Sequence, residues 1–225
     1  MKKMKYIFLG TTFLISFCCA LYVATLVFPD NPFSGTKPQT TLLDKVQDGD
    51  IIFQTSESKQ CEAVRIATNS KFSHCGIIFF INDRKFVFEA VQPVKITLLD
   101  EWIKHGKENK YVVKRLKNAE KILTANTLQK MKDYGQQFNG KKYDAYFEWT
   151  DNRIYCSELV WKIYKAGVGI ELCPLQELKD FNLKDERVQK ILKERYGNDI
   201  PLTEKVVSPS NLADSNLLKT VIDTY

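Results

Sequence analysis

The chain has 225 residues, of which 44% are hydrophobic and 12% aromatic. This is enough apolar side chain for one compact domain of ordinary size, and it excludes a mainly disordered chain or a disulfide-stapled miniprotein. Lys and Arg number 33 against 27 acidic residues, and 30 against 27 once Lys2, Lys3 and Lys5 are set aside. That excess of positive charge is too small to indicate a nucleic-acid ligand, because nucleic-acid binding requires a basic face with elements that read the bases. No nucleic-acid partner is therefore expected.

The first 28 residues are predicted to be a membrane anchor or signal segment. Tyr6 to Phe28 carries no charge. A spanning helix needs about 20 apolar residues, whereas the apolar part of a cleavable signal has about 7–15. Length therefore favours a retained N-terminal apolar helix, while a cleaved signal and lipidation of Cys18 or Cys19 stay open as alternatives. The lysines before the segment predict a cytoplasmic N-terminus and an extracytoplasmic domain in the cell envelope.

Residues 29–41 are rich in Pro, Ser, Gly and Thr, which predicts a linker, and residues 42–225 follow as one domain. A turn at Asp48-Gly49-Asp50 precedes a predicted buried strand at 51–54 and a helix at 57–68. A β-hairpin comes next, with arms at 73–81 and 85–91 and its turn near Asn82-Asp83. Strands at 94–98 and 110–116 flank a helical turn at 99–104. Early strands flanked by helices favour an α+β fold with an antiparallel sheet.

Three helices are predicted in the second half. The first covers 127–138 and ends at Asn139-Gly140, where glycine can adopt the left-handed conformation. The second carries Cys156 in its first turn, with Asp151 or Asn152 available as N-cap. Its apolar positions, spaced by three and four residues, place Cys156 on the inward face. The third is a charged surface helix at 185–196 that Gly197 ends.

A thiol in the first turn of a helix has the chemistry of a nucleophile. The positive end of the helix dipole and the free backbone N–H groups favour thiolate and can hold an oxyanion. A buried core cysteine is the plain alternative. The chain offers two bases, and His105 has the sequence context of a solvated helix end. His74 opens an apolar strand, and Glu89 on the return arm is placed to contact it across the strands, as the orienting group that a base needs.

Cys61, Cys75, Cys156 and Cys173 remain in the predicted domain. Their spacing indicates one disulfide or none. Without a CxxC pair, structural zinc is not expected, and no cofactor is predicted. A zinc site made of His74, Cys75 and Cys61 is disfavoured, since neighbouring residues of a strand point to opposite faces of the sheet.

Four short motifs occur in a characteristic order, and they are listed here as they stand: Asp48-Gly49-Asp50-Ile51-Ile52-Phe53-Gln54, Phe72-Ser73-His74-Cys75-Gly76-Ile77, Phe88-Glu89-Ala90 and Tyr155-Cys156-Ser157-Glu158-Leu159-Val160-Trp161. Together they resemble the YiiX/YaeF-like permuted papain-like amidases, relatives of NlpC-type cell-wall peptidases and of the lecithin:retinol acyltransferase group. The resemblance runs from about Leu43 to the C-terminus and includes Val207-Ser208-Pro209-Ser210-Asn211-Leu212 near its end. Cys75 departs from the family pattern, in which an aliphatic residue is more usual.

The resemblance implies a circularly permuted papain-like, NlpC-like fold, in which the histidine strand precedes the cysteine helix. It implies Cys156 as nucleophile, His74 as general base and acid, and Glu89 as the residue that orients the imidazole. Tyr143 and Asp144 are candidates for lining the substrate cleft, with aromatic packing beneath a loop as the alternative.

The leading hypothesis is a cysteine amidase or peptidase that acts on cell-wall peptide amides through a thioester acyl-enzyme. A lipid acyl hydrolase or acyltransferase is the alternative within the enzyme class. A non-catalytic envelope protein that binds lipid or peptide is the alternative outside it. The sequence leaves the oligomeric state open.

Overall fold

A six-stranded antiparallel sheet organises the domain, in a computed structural model that describes residues 41–225. The strand order is β10-β5-β1-β2-β3-β4, and each neighbouring pair is antiparallel. The bounds of its strands are β1 Ile51–Gln54, β2 His74–Ile81, β3 Arg84–Glu89, β4 Lys95–Leu98, β5 Val112–Leu116 and β10 Leu218–Asp223. Two small sheets lie beside it, a parallel pair of β6 Lys142–Tyr143 with β7 Arg153–Ile154 and an antiparallel pair of β8 Gln176–Glu177 with β9 Lys205–Val206.

The helices of the described residues are α1 Lys59–Ala67, α2 Leu99–Lys104, α3 Ala119–Ile122, α4 Ala125–Gln136, α5 Cys156–Val168, α6 Glu186–Tyr196 and α7 Pro209–Ala213. Short 3₁₀ turns occur at Leu42–Lys45, Lys107–Asn109 and Leu178–Asp180. The predicted α+β class with an antiparallel sheet packed against helices is therefore confirmed. The predicted N-terminal apolar helix and most of the predicted linker fall outside the described residues. Between 41 and 225, no helix has the length and apolar character that a membrane crossing requires.

Most of the predicted elements are present with small shifts at their ends. Strand β1 has the predicted bounds, and the β2–β3 hairpin turns at Asn82 and Asp83, both of which have positive φ. Positive φ at both central positions belongs to the tight turn that matches the twist of a hairpin. Helix α4 begins before the predicted position because the Thr124 side chain accepts a hydrogen bond from the backbone of Thr127 and caps it there. Strand β10 was not predicted.

The sheet has an apolar core on each face. On one face, alternate residues of β2 such as Cys75 and Ile77 pack in a core cluster with residues of α4 and α5. On the other face, Ile78 packs in a second cluster with Trp102 of α2. Helices α1 and α6 form a third, smaller cluster with Leu178. Strand β2 therefore contributes side chains to both large cores.

Candidate active site

His74 and Glu89 are brought together by the hairpin. His74 Nε2 lies 2.6 Å from Glu89 Oε2, and both side chains are almost completely buried. The close approach of the two strands depends on Gly76, because a Cβ there would lie 2.4 Å from Val87 Cγ1 and 2.8 Å from the Phe88 carbonyl oxygen. The cross-strand contact that the sequence predicted is therefore present.

The Glu89 carboxylate accepts two further hydrogen bonds. Thr97 Oγ1 donates to Glu89 Oε1 at 2.6 Å, and Trp102 Nε1 donates to Glu89 Oε2 at 2.8 Å. The Trp102 ring also stacks on the His74 ring, with centroids 5.7 Å apart and an angle of 24° between the planes. Sequence reasoning missed Thr97 and Trp102. The available signal was the buried carboxylate itself, because a charge inside a protein requires donors for its oxygens.

Cys156 is the first residue of α5, and its side chain is directed into the domain, as predicted. The predicted N-cap was wrong, however, because the helix starts later than Asp151 and Asn152 allow, and Tyr155 occupies the N-cap position. Residues before it are held in β7, which pairs with β6. In the first turn of a helix, the backbone N–H groups have no acceptor within the helix. The Cys156 N–H is therefore free to serve a ligand.

The charges at this site favour a thiolate and imidazolium pair. A hydrogen bond from the Cys75 thiol lowers the pKa of Cys156 and outweighs burial, and the hydrogen bond and positive charge of His74 lower it further, to well below the ordinary value. Burial on its own lowers the pKa of His74, but the hydrogen bonds to Cys156 and Glu89 overcome this effect and raise that pKa to about 10. Because Glu89 occupies Nε2, Nδ1 is the ring nitrogen available to Cys156.

Cys75 has a larger part in the site than the sequence indicated. It is completely buried on the core face of β2, as strand alternation predicts, but that face is also the one that α5 covers. Its thiol and its backbone N–H both lower the pKa of the Cys156 thiol. Burial raises the pKa of the Cys75 thiol well above the ordinary value, so Cys75 stays protonated and acts as the donor. All four cysteines in residues 41–225 are free thiols.

An apolar cavity opens beside Cys156 and extends between α1, α6 and the segment at 206–209. Its volume is about 90 Å³. The walls are almost entirely hydrocarbon, contributed by residues such as Ala63, Ala67, Leu178, Val188, Leu192 and Val207. The lining of this cavity includes Cys156, so an apolar group bound here would lie next to its thiol.

A polar groove reaches the same place from the other side. Its lining includes His74 and Glu89 together with amide and hydroxyl side chains, among them Gln54, Ser56 and Gln92. Four residues line both the apolar cavity and the polar groove, namely Gln60, Val64, Ser73 and Tyr143. The cavity and the groove therefore adjoin, with Cys156 in the lining of the cavity and His74 in the lining of the groove.

The structure separates the two residues predicted to line the substrate cleft. Tyr143 lies where the cavity and the groove meet, because β6 holds it beside Ile154, just before α5. Asp144 is fully buried and turned into the loop instead. Its carboxylate accepts the backbone N–H of Tyr146 at 2.9 Å and that of Glu148 at 2.7 Å. Two backbone donors use both carboxylate oxygens, so Asp144 shapes the loop and does not contact the cleft.

His105 is exposed at the C-terminal end of α2, as its sequence context predicted. The zinc site considered for His74, Cys75 and Cys61 has no counterpart, since the part of the chain from 41 to 225 contains no group of three or more metal-binding side chains close enough to share an ion.

The fold and the site together define a papain-like protein with permuted chain order. An antiparallel sheet presents a histidine to a cysteine at the start of a packed helix, and the histidine strand comes first in the chain. Residues 45–222 match the family described as permuted papain-like amidase enzyme, YaeF/YiiX, C92 family. The chain belongs to this family, as its motifs indicated, and the family is one of papain-like amidases and peptidases, which are hydrolases.

Two relatives from Escherichia coli are similar over most of the domain. The uncharacterized protein YiiX of strain K12 is 46% identical over 175 residues, which cover 78% of this chain and 85% of the relative. A crystal structure described as metalloprotein YiiX from strain O157:H7 is 45% identical and has a TM-score of 0.77. That likeness covers 80% of this chain and 99% of the crystallised chain.

Proposed function

We propose that this protein is a cysteine hydrolase that cleaves an amide or ester through Cys156, His74 and Glu89. The observation that carries the proposal is the buried His74–Glu89 pair, 2.6 Å apart, beside a cysteine at the start of a helix. A carboxylate that holds one ring nitrogen of an imidazole leaves the other nitrogen correctly oriented toward a nucleophile. The family assignment supports the same class of reaction.

The reaction begins when the Cys156 thiolate adds to the carbonyl carbon of the substrate. The π electrons move to the carbonyl oxygen, and the Cys156 N–H stabilises the resulting oxyanion. When the oxyanion collapses, the bond to the leaving group breaks, and the His74 imidazolium gives that group a proton. The acyl group remains on Cys156 as a thioester. Water then adds to the thioester while His74 removes its proton, and the carboxylic acid leaves as the thiolate returns.

The Escherichia coli O157:H7 relative is described as a metalloprotein. The residues of this chain do not fit a metal at the proposed site. Glu89 is fully engaged by three donors, and residues 41–225 contain no group of three or more His, Cys, Asp or Glu side chains arranged so that it could hold a metal ion. No step of the proposed reaction is therefore routed through a metal.

The proposed role of Cys156 is tested by the pH dependence of its alkylation by iodoacetamide, with mass spectrometry to locate the label. We expect Cys156 to react well below the pKa of about 8.5 of a free thiol, and His74→Ala to remove that reactivity. Lys104→Ala is the control, because Lys104 is exposed and lines neither the apolar cavity nor the polar groove. Alkylation of Cys156 that follows an ordinary thiol pKa in the wild-type protein would contradict the assignment.

The apolar cavity favours a second, more specific candidate: the substrate is an acyl ester or acyl amide with a hydrocarbon chain, and the chain occupies the cavity. A peptide of the cell wall would bring polar backbone groups into walls that are almost entirely hydrocarbon, where each group without a partner costs free energy. A hydrocarbon chain instead gains about 0.8 kcal/mol for each buried methylene. This comparison favours the lipid acyl alternative over the peptide alternative.

A series of p-nitrophenyl esters tests the candidate. We expect kcat/KM to rise steadily from acetate to octanoate, and Ala67→Trp, which fills the cavity, to reduce the preference for octanoate over acetate at least tenfold. Ala166→Trp is the control, because Ala166 is exposed on the outer side of α5. A flat series together with hydrolysis of cell-wall peptide amides would support the peptide alternative instead.

We propose further that the domain works at the outer side of a cytoplasmic membrane. The support is the uncharged segment Tyr6 to Phe28, which follows three lysines in the sequence. Fractionation of cells that express the full chain, followed by protease treatment of spheroplasts, tests this proposal. A protein found in the cytoplasmic fraction and protected from protease would contradict it.

A further inference from the structure

The lining of the apolar cavity contains a full positive charge. The charge belongs to Arg195 of α6, which is half-buried, and no Asp, Glu, Lys or other Arg of residues 41–225 lines the cavity with it. A cation that lies against hydrocarbon loses part of its hydration, and this costs free energy unless an anion or a set of acceptors compensates it. Arg195 therefore needs a partner in this cavity.

The protein gives Arg195 one hydrogen-bond acceptor and no anion. Arg195 Nη2 donates to Gln60 Oε1 at 2.7 Å, and this is its one side-chain hydrogen bond within the described part of the chain. A guanidinium has five N–H donors, so most of them stay available. The ring of Phe147 packs against the group, with its centroid 5.3 Å from the guanidinium carbon, but it carries no negative charge.

The carboxylates in this neighbourhood are engaged by other groups. Three of them lie near the phenol of the residue that follows Arg195 in the chain, namely Asp144, Glu148 and Glu204. The first accepts two backbone N–H groups of its own loop. Glu148 pairs with Arg153 at 2.6 Å, and Glu204 accepts the backbone N–H of Trp149 at 2.8 Å. Among residues 41–225, none of them forms an ion pair with Arg195.

Arg195 lies on one side of the reacting bond. His74, which gives its proton to the leaving group in the proposed reaction, lines the polar groove, and Arg195 does not. Arg195 lines the apolar cavity together with Cys156, to which the acyl part of the substrate becomes attached. The packing of α6 on α1 and the bond to Gln60 hold the guanidinium there. An anion that pairs with Arg195 therefore belongs to the acyl part and not to the leaving group.

We propose that Arg195 binds a carboxylate on the acyl part of the substrate, so that the protein cleaves esters or amides of an acid that carries a second, free carboxylate. A planar guanidinium matches a carboxylate through two parallel hydrogen bonds. The apolar walls exclude water and strengthen this attraction, and they contact the hydrocarbon part of the same acyl group. The inference rests on the proposed hydrolase function and specifies its substrate class.

Two pairs of p-nitrophenyl esters test the inference. In each pair a neutral ester, the hexanoate or the octanoate, is compared with the monoester of the dicarboxylic acid of the same length, the adipate or the suberate. We expect the wild-type protein to have the higher kcat/KM for the charged ester of at least one pair. In Arg195→Met, the ratio of charged to neutral ester should fall by about 10–100-fold, the usual worth of a charge-assisted hydrogen bond. Because the ratio is taken within one variant, a general effect of the substitution on the active site cancels.

Two further variants separate the guanidinium from charge in general. Arg195→Lys keeps the charge but loses the planar pair of donors, so it should retain part of the preference for the charged ester. Lys193→Met is the matched control, because Lys193 is an exposed cation on the same helix and does not line the cavity. We expect this variant to keep the wild-type ratio, and thermal unfolding verifies the fold of each variant.

Two results would overturn the inference while leaving the hydrolase proposal intact: the same ratios in the wild-type protein and Arg195→Met, or an equal fall in Lys193→Met. If the wild-type protein forms no acyl-enzyme with any of the four esters and alkylation of Cys156 does not depend on His74, the hydrolase proposal fails. The specificity assigned to Arg195 then fails with it.

Discussion

Replacing Glu89 with glutamine removes one buried charge and almost nothing else. Glutamine has the same shape, and its carbonyl oxygen can accept from both His74 and Trp102 at the position of Oε2. The hydroxyl of Thr97, which donates to the other oxygen at 2.6 Å, can rotate and accept from the new amide. We therefore expect Glu89→Gln to fold like the wild-type protein.

The electrostatic loss can be worked out from this geometry. Two opposite unit charges about 4 Å apart attract by about 4 kcal/mol at an effective dielectric constant of about 20. The neutral amide keeps a hydrogen bond worth about 1 kcal/mol. The net loss of about 3 kcal/mol corresponds to about two pKa units at 1.36 kcal/mol for each unit. The pKa of His74, which is raised to about 10 in the wild-type protein, should fall by that amount.

The sign of the effect follows from the proton that His74 must hold. His74 has a raised pKa, so its protonated form is present below that pKa and is lost as the pH rises through it. The alkaline limb of the kcat/KM profile therefore lies near pH 10 in the wild-type protein and should move down by about two pH units in Glu89→Gln. Because His74 holds its proton less tightly in Glu89→Gln, its positive charge also stabilises the Cys156 thiolate less. The acid limb should therefore move to higher pH.

The assay is the pH profile of kcat/KM for p-nitrophenyl octanoate, together with thermal unfolding to verify the fold. We expect a small loss at pH 7, where His74 stays protonated, and a loss that approaches about 10²-fold above pH 10, still smaller than the loss on removing the nucleophile. Glu101→Gln is the control, because Glu101 is an exposed carboxylate on the same helix as Trp102. An alkaline limb that stays in place in Glu89→Gln would refute the electrostatic role of Glu89.

Three further outcomes are expected. Cys156→Ser should lose turnover by several orders of magnitude with an unchanged melting temperature, and full activity in a stopped-flow assay would exclude Cys156 as nucleophile. Cys75→Val should raise the midpoint pH for alkylation of Cys156 by about one unit, since the thiol hydrogen bond that lowers this pKa is lost; an unmoved midpoint would show that Cys75 only fills space. Gly167→Ala should lower the free energy of unfolding in urea by about 1–3 kcal/mol. The new Cβ would lie 2.2 Å from Met131 Cγ and 3.0 Å from Met131 Cα. A urea midpoint equal to that of the wild-type protein would contradict the tight packing of α4 on α5.

The sequence was sufficient for the family and for the elements that carry the site. A strand at 51–54, a hairpin that turns at Asn82-Asp83 and a helix that begins with an inward cysteine are all local patterns. The alternation of apolar and polar residues in strands, and the spacing of apolar residues by three and four in helices, involve residues that are close together in the sequence. The order of the four motifs identified the family for the same reason, and the pairing of the hairpin strands made contact between His74 and Glu89 predictable.

Only the tertiary structure decided which distant groups complete the site. Trp102 and Thr97 reach Glu89 through the folding of β4 and α2 over the sheet, and no short-range pattern specifies that approach. Arg195 meets Gln60 across 135 positions of the chain because α6 packs on α1. The apolar cavity likewise exists only where segments far apart in the chain meet. Local periodicity reports which face of an element is buried, whereas the partners on that face depend on contacts between distant segments, which a single sequence does not encode in any local pattern.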